Sequence, residues 1–236
     1  MNTKEILAEL QKAGSESTKK IQLKHGAKVP SYGVKVEDLK KIQKKIKSNR
    51  QQIAMELYET GIADAMYLAG LVADGSKMTK KQLQTWADRA NQTMITEYTV
   101  PWVTSENQDG WELALNWINS PKENIASTGW ATLTNIISTR PDDTLDIGVL
   151  GSLLHSIEKE IGNAPNRVRY CMNAYVIAAG SFIKDLNKPA ISTGIKIGTV
   201  EVDMGGTYCK VPFAPDYIKK VVDKGYLGKK RKAIKC

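Results

Sequence analysis

Cysteine is scarce in this chain: three residues among 236, Cys171, Cys209 and Cys236, at wide and unequal spacings. An odd, scattered set suits neither a disulfide framework nor a zinc site, and free cysteine ordinarily behaves as a small hydrophobe. Histidine is scarcer still. His25 and His155 have no partners at the spacing of a metal site or a nucleophile triad. No Walker-type phosphate loop is present, and the pair Gly205 and Gly206 is too short to act as one. The expectation is therefore no metal and no cofactor. Apolar runs fall far below the roughly 20 residues needed to cross a bilayer. The opening MNTKEILAEL lacks the basic start, apolar middle and small-residue cleavage site of a secretory signal. We expect a cytoplasmic protein, monomeric, with no membrane partner. Aromatic residues make up only 7%, but 42% hydrophobic and 25% charged residues are ordinary for a soluble globular chain long enough to bury a core.

What is plentiful is positive charge, and it is unevenly placed. The net charge of +9 divides into +8 over residues 1–50, −6 over 51–206 and +7 over 207–236. Clusters of one sign are the usual footprint of a polyanion partner, and nucleic acid leads the candidates. In VEDLKKIQKKIK the apolar residues Val36, Leu39, Ile42 and Ile46 recur at three- and four-residue steps, so they share one face of a helix. Lys40, Lys41, Lys44, Lys45 and Lys47 cover the rest, with Glu37 and Asp38 in the first turn, where the helix dipole favours them. Such a helix presents a rigid lysine surface, either to phosphates or simply to water. At the other end a basic tail from about residue 226 ends in GKKRKAIKC, with Lys229, Lys230, Arg231, Lys232 and Lys235. A block of this kind suits phosphate contact, a localisation signal or a disordered end.

Strand-type alternation is nearly absent between these ends. Helical spacing recurs at about 3–13 and 50–59, and again in three segments rich in small residues: ADAMYLAGLVAD, IASTGWATLTNII and RVRYCMNAYVIAAGSF. Each follows a shorter helix and a Gly or Pro break, at Gly61, Pro121 and Pro165. The pattern predicts an all-α chain forming a curved α-solenoid of helix pairs, an α-α superhelix, with a degenerate repeat starting near 63, 124 and 168. A single all-helical domain without true repeats is the alternative. No linker divides the chain, so residues 1–236 read as one domain. Only GIKIGTVEVDMGGTYCKVPFA, 194–214, reads as an irregular or short extended loop, before a last helix near 215–224.

The stretches YGVKVEDLKKIQKKI and LYETGIADAMYLAGLVAD, the tryptophan-rich centre and the closing GKKRKAIKC resemble the HEAT-like-repeat DNA alkylation repair family, of which this would be a divergent member. The resemblance implies a curved solenoid whose concave, basic face holds duplex DNA. It also implies excision of N3- or N7-alkylated purines without drawing the base into a deep pocket, by a tryptophan followed four residues later by an aspartate, with a supporting arginine. In YTVPWVTSENQ, Trp102 is followed at that spacing by Glu106, so the acid is longer by one methylene. Pro101 suits the first turn of a helix that would set both on one face. A fixed carboxylate would stabilise cationic sugar and orient water, and an indole face would attract a cationic base. IASTGWATL, where the family carries its arginine, has Gly129 and Trp130 instead.

All five tryptophans, Trp86, Trp102, Trp111, Trp117 and Trp130, fall between positions 86 and 130. Trp102 and Trp111 are expected to be exposed, Trp111 as a DNA contact, whereas Trp117 and Trp130 fill gaps between helices. Three functions stay open. One is binding of duplex, structured or damaged DNA, alkylated or branched, through the lysine helix, Trp111 and Lys229 to Lys232. The second is alkylpurine glycosylase action by Trp102 and Glu106. The third is a helical scaffold for a protein partner.

Overall fold

The computed structural model describes residues 1–25, 30–207 and 209–235. Among the described residues thirteen α-helices follow one another: α1 (Thr3–Ala13), α2 (Glu16–Lys24), α3 (Val36–Lys45), α4 (Arg50–Glu59), α5 (Ala63–Val72), α6 (Lys80–Arg89), α7 (Val100–Glu106), α8 (Gly110–Trp117), α9 (Glu123–Thr139), α10 (Ile147–Glu160), α11 (Asn166–Phe182), α12 (Asn187–Ile197) and α13 (Ala214–Asp223). No strand occurs among the described residues, and no helix there is long and apolar enough to cross a membrane. The contacts divide the chain into two compact units. One holds Met1–Gly110 with Met204–Thr207 and Lys235, the other Trp111–Asp203 with 209–234.

In the first unit α5 is the central helix, and all ten of its residues are buried. A helix that is apolar all round belongs in an interior, and ADAMYLAGLV offers little else. Its small residues admit close neighbours: a Cβ at Gly70 would lie 2.7 Å from Thr99 Cγ2. α1 contributes the wholly buried Ile6 and Leu10, and α3 contributes Leu39 and Ile42. Tyr58 of α4 stacks on Trp86 of α6 with ring centroids 3.9 Å apart, and its hydroxyl donates to the Trp86 carbonyl at 2.7 Å. Burial pushes that phenol well above its usual pKa.

The second unit is organised around α9 and α11, 17 residues each, which pack against one another. A Cβ at Gly129 of α9 would lie 2.7 Å from the Ile118 amide nitrogen, so the helix needs glycine there. Trp130 meets Tyr175 of α11 edge to face at 5.2 Å. Trp117 and Trp130 are both buried, as gap-filling tryptophans should be. Cys171 is buried and Cys209 exposed. Helix α12 takes Gly194–Ile197 out of the loop expected over 194–214, and beyond Gly198 the described residues are irregular until α13.

Candidate nucleic-acid interface

Helix α3 carries Lys40, Lys41, Lys44 and Lys45 of the first basic cluster, while Lys47, which the sequence spacing places on the same helix, lies beyond its end, and the fold holds the helix firmly. Leu39, Ile42 and Ile46 are buried beneath it. Lys45 Nζ sits 2.8 Å from a Glu9 oxygen, tying α3 to α1. The turn leading into α3 is fixed by Asp64, a carboxylate only 2% exposed. It accepts from the Tyr32 amide at 2.7 Å, the Val34 amide at 2.9 Å, the Ser31 hydroxyl at 2.9 Å and Gln22 Nε2 at 3.1 Å. One buried acid therefore clamps residues 31–34 to the central helix. A cleft beside this clamp is lined by Gln22, Val34, Leu39, Asp64 and Tyr67.

The five lysines of this cluster differ in what they can offer a phosphate. Lys41 donates to Asp38 at 2.7 Å, which raises its pKa, and Lys45 is engaged by Glu9. Lys40, half-buried, and the exposed Lys44 and Lys47 make no ion pair among the described residues. Lys40 and Lys44 are four apart and share a helix face.

Glu106 and Trp102 lie on α7, which follows a π-helical turn over Ile95–Thr99 and has Pro101 in its first turn. The expectation of an exposed Trp102 is corrected here. It is 2% exposed, because Tyr67 of α5 closes on it at 5.2 Å and Tyr98 at 6.1 Å, both edge to face. The Glu106 carboxylate accepts from the Gly75 amide at 2.9 Å and from Lys235 Nζ at 2.9 Å. Lys235 also donates to the Ala73 carbonyl. Next to it, Asn107 Nδ2 donates to the carbonyls of Gly75 and Met78, each at 2.7 Å. Glu106 and Asn107 thus hold the 75–78 turn.

In the second unit, the C-terminal basic residues lie against the helices. The Gly228 amide donates to the Ser181 carbonyl at 2.9 Å and that of Arg231 to the Ser138 carbonyl at 2.8 Å. Lys230 donates to the Ile137 carbonyl at 2.7 Å and lies 2.7 Å from an Asp142 oxygen, so its charge is spent internally. The Arg231 guanidinium covers the Phe182 ring at 5.2 Å. Lys229 and Lys232 are exposed. Trp111 is half-buried and packs against the apolar cluster of this unit.

Comparison with known proteins gives this helical framework a family. The model described as "DNA alkylation repair enzyme" matches residues 6–199. The chain belongs to the DNA alkylation repair family. Two relatives are the Uncharacterized protein Lin0241 of Listeria innocua serovar 6a, 32% identical, and the Uncharacterized protein Lmo0209 of Listeria monocytogenes serovar 1/2a, 31% identical. Each alignment covers 90% of this chain and 93% of the relative. A solved structure, 33% identical with a TM-score of 0.90 and covering 100% of both chains, is described as "A new family of proteins related to the HEAT-like repeat DNA glycosylases with affinity for branched DNA structures". The expected HEAT-like-repeat fold is thereby established. Within this member of the family, sequence reasoning passed over Asp64. Its signal was present as the one acid inside an otherwise apolar ten-residue helix, where a buried charge demands partners.

Proposed function

We propose that this protein is a non-hydrolytic DNA-binding member of the family that holds duplex and branched DNA through backbone phosphates. The observation that carries this reading is the Lys40 and Lys44 face of α3, held by the Asp64 turn and the Lys45–Glu9 pair. Cations carried on a rigid helix contact phosphate without a loss of backbone freedom on binding. The solved relative, described as having affinity for branched DNA and 33% identical over the whole chain, makes a junction the natural ligand to try. At the glycosylase position, Glu106 already accepts from an amide and an ammonium and the neighbouring indole is buried. Neither group stands ready for a sugar cation or an alkylated base.

The test is fluorescence anisotropy of a four-way junction and a blunt duplex against the wild type and Lys40→Ala/Lys44→Ala, over a range of salt. Binding should weaken steeply with salt, and the double variant should flatten the logarithmic slope by about 2, since each phosphate contact contributes roughly 0.9. Affinity that ignores salt, or a double variant that binds as the wild type does, would overturn the assignment of α3.

A further inference from the structure

We propose that α13 and the turn after it form a second nucleic-acid contact in this protein, one that takes unstacked bases of a single strand on the faces of Tyr217 and Tyr226. The inference rests on the DNA-binding reading above and adds what that reading lacks, a means of recognising DNA that is not continuous duplex.

Helix α13 has two unlike sides. Ala214 and Ile218 are buried, and Ile218 Cδ1 lies only 2.6 Å from where a Cβ on Gly180 of α11 would stand. Large groups at the two edges of this buried stripe stay in water: Tyr217 is 47% exposed on one edge and Val222, one turn beyond Ile218, 40% exposed towards the other, and Tyr226 just beyond the helix is 51% exposed. The end of the helix determines where Tyr226 goes. Gly225 has φ +68°, its amide donates to the Val222 carbonyl at 2.9 Å, and the Tyr226 amide donates to the Val221 carbonyl at 3.0 Å. These two bonds are the Schellman pair, which turns the chain back along the last helical turn. Tyr226 is thus returned beside Val221, and Val221 lies one turn beyond Tyr217 on the same side. The backbone of Tyr226 returns to the edge of α13 that carries Tyr217.

Each ring carries its own cation. Lys220 Nζ lies 4.7 Å from the Tyr217 centroid and Lys229 Nζ 4.9 Å from that of Tyr226, within the range of a cation–π contact. Residues 210–232 hold eight Lys or Arg against two Asp. Asp223 pairs with Lys219 at 2.8 Å, while Lys220, Lys224, Lys229 and Lys232 are exposed. Exposed aromatic faces alternating with lysines are what a flexible strand needs, bases to stack and phosphates to neutralise, without regard to sequence. A continuous duplex hides its base faces in the stack, so the tyrosines have nothing to take from it except at ends, gaps and branch points. A lipid surface would need a continuous apolar face, and on α13 Ala214 and Ile218 are already buried while Lys219 and Lys220, with Lys224 just beyond the helix, are exposed.

The full-length protein is titrated against a (dT)20 strand, a splayed fork and a blunt duplex, as wild type, Tyr217→Ala/Tyr226→Ala, Tyr217→Phe/Tyr226→Phe and Lys40→Ala/Lys44→Ala. Both rings are exposed, so thermal melting should be unchanged in the tyrosine variants. The alanine pair should lose about tenfold or more for the single strand and the fork while blunt-duplex affinity stays within about twofold, and the phenylalanine pair should bind as the wild type does. A wild type that ignores (dT)20, or an alanine pair that loses strand and blunt duplex equally, overturns this inference alone, provided the Lys40/Lys44 variant still loses duplex. A wild type that binds none of the three probes overturns it together with the DNA reading.

Discussion

Asp64 is where one side chain governs most. Its carboxylate serves two backbone amides, a hydroxyl and an amide side chain, and it is only 2% exposed. Removing the acceptor leaves buried donors unpaired, which costs on the order of 1–3 kcal/mol for each group. Asp64→Ala should therefore destabilise the protein by about 3 kcal/mol, lowering the urea midpoint with little change in the slope of the transition, and should weaken DNA binding because the turn before α3 is released. A shift below about 0.5 kcal/mol would show that the clamp is dispensable. The residue scale is also where sequence reading failed. The spacing of Trp102 and Glu106 is visible in the sequence, but the closure of Trp102 depends on Tyr67, 35 positions away, and the occupation of Glu106 depends on Lys235, further still. Contacts of that range leave no trace in local periodicity.

Elements were far more legible. The apolar stripe of α3 and the small-residue helices α5, α9 and α11 follow from three- and four-residue spacing, because burial against neighbours, on one face or all round, is what holds each stretch helical. The π-helical turn over Ile95–Thr99 has no such signature. Ion pairs between elements are likewise hidden from sequence, and one has a measurable pH signature. Glu158 of α10 accepts from Lys196 Nζ and Thr193 Oγ1 of α12, each at 2.8 Å. The Lys196 bond chiefly holds its carboxyl below the usual carboxylate range, with Thr193 and the charges of Lys196 and His155 adding to it. A depressed folded pKa means stability that is present above the unfolded value of about 4.5 and lost as pH falls through the folded one. Glu158→Gln should therefore lower Tm by a few degrees at pH 7, about 0.5–1 kcal/mol once solvent screening is allowed for. Thermal melts of variant and wild type should converge as pH falls below 4.5 and through the folded pKa, and a gap that keeps its full size however far the pH is lowered would rule out this pair as its source.

Across the whole molecule the division into basic ends and a mildly acidic middle is a clue to binding, yet a charge total overstates what is available. Lys41, Lys45 and Lys230 are spent on Asp38, Glu9 and Asp142, so at the two basic ends a phosphate would meet chiefly Lys40, Lys44 and Lys47 on the first unit and Lys220, Lys224, Lys229 and Lys232 on the second. The C-terminal end contributes in a different way. Lys235 reaches the carboxylate at the position where the resemblance puts the family's acid, and places a cation where a hydrolase would need an unpaired anion facing the sugar. A carboxylate that must stabilise developing positive charge loses that capacity when an ammonium already lies 2.9 Å away, and displacement of the acid by about 1 Å can cost about a hundredfold in rate. Release of 3-methyladenine and 7-methylguanine from alkylated DNA should accordingly stay at the no-enzyme background for the wild type and Glu106→Gln alike. Lys235→Ala, which frees the carboxylate, should not restore release either, because Trp102 stays buried behind Tyr67 and Tyr98. Wild-type release that Glu106→Gln abolishes would instead make this chain a glycosylase and require the Lys235 contact to open during catalysis.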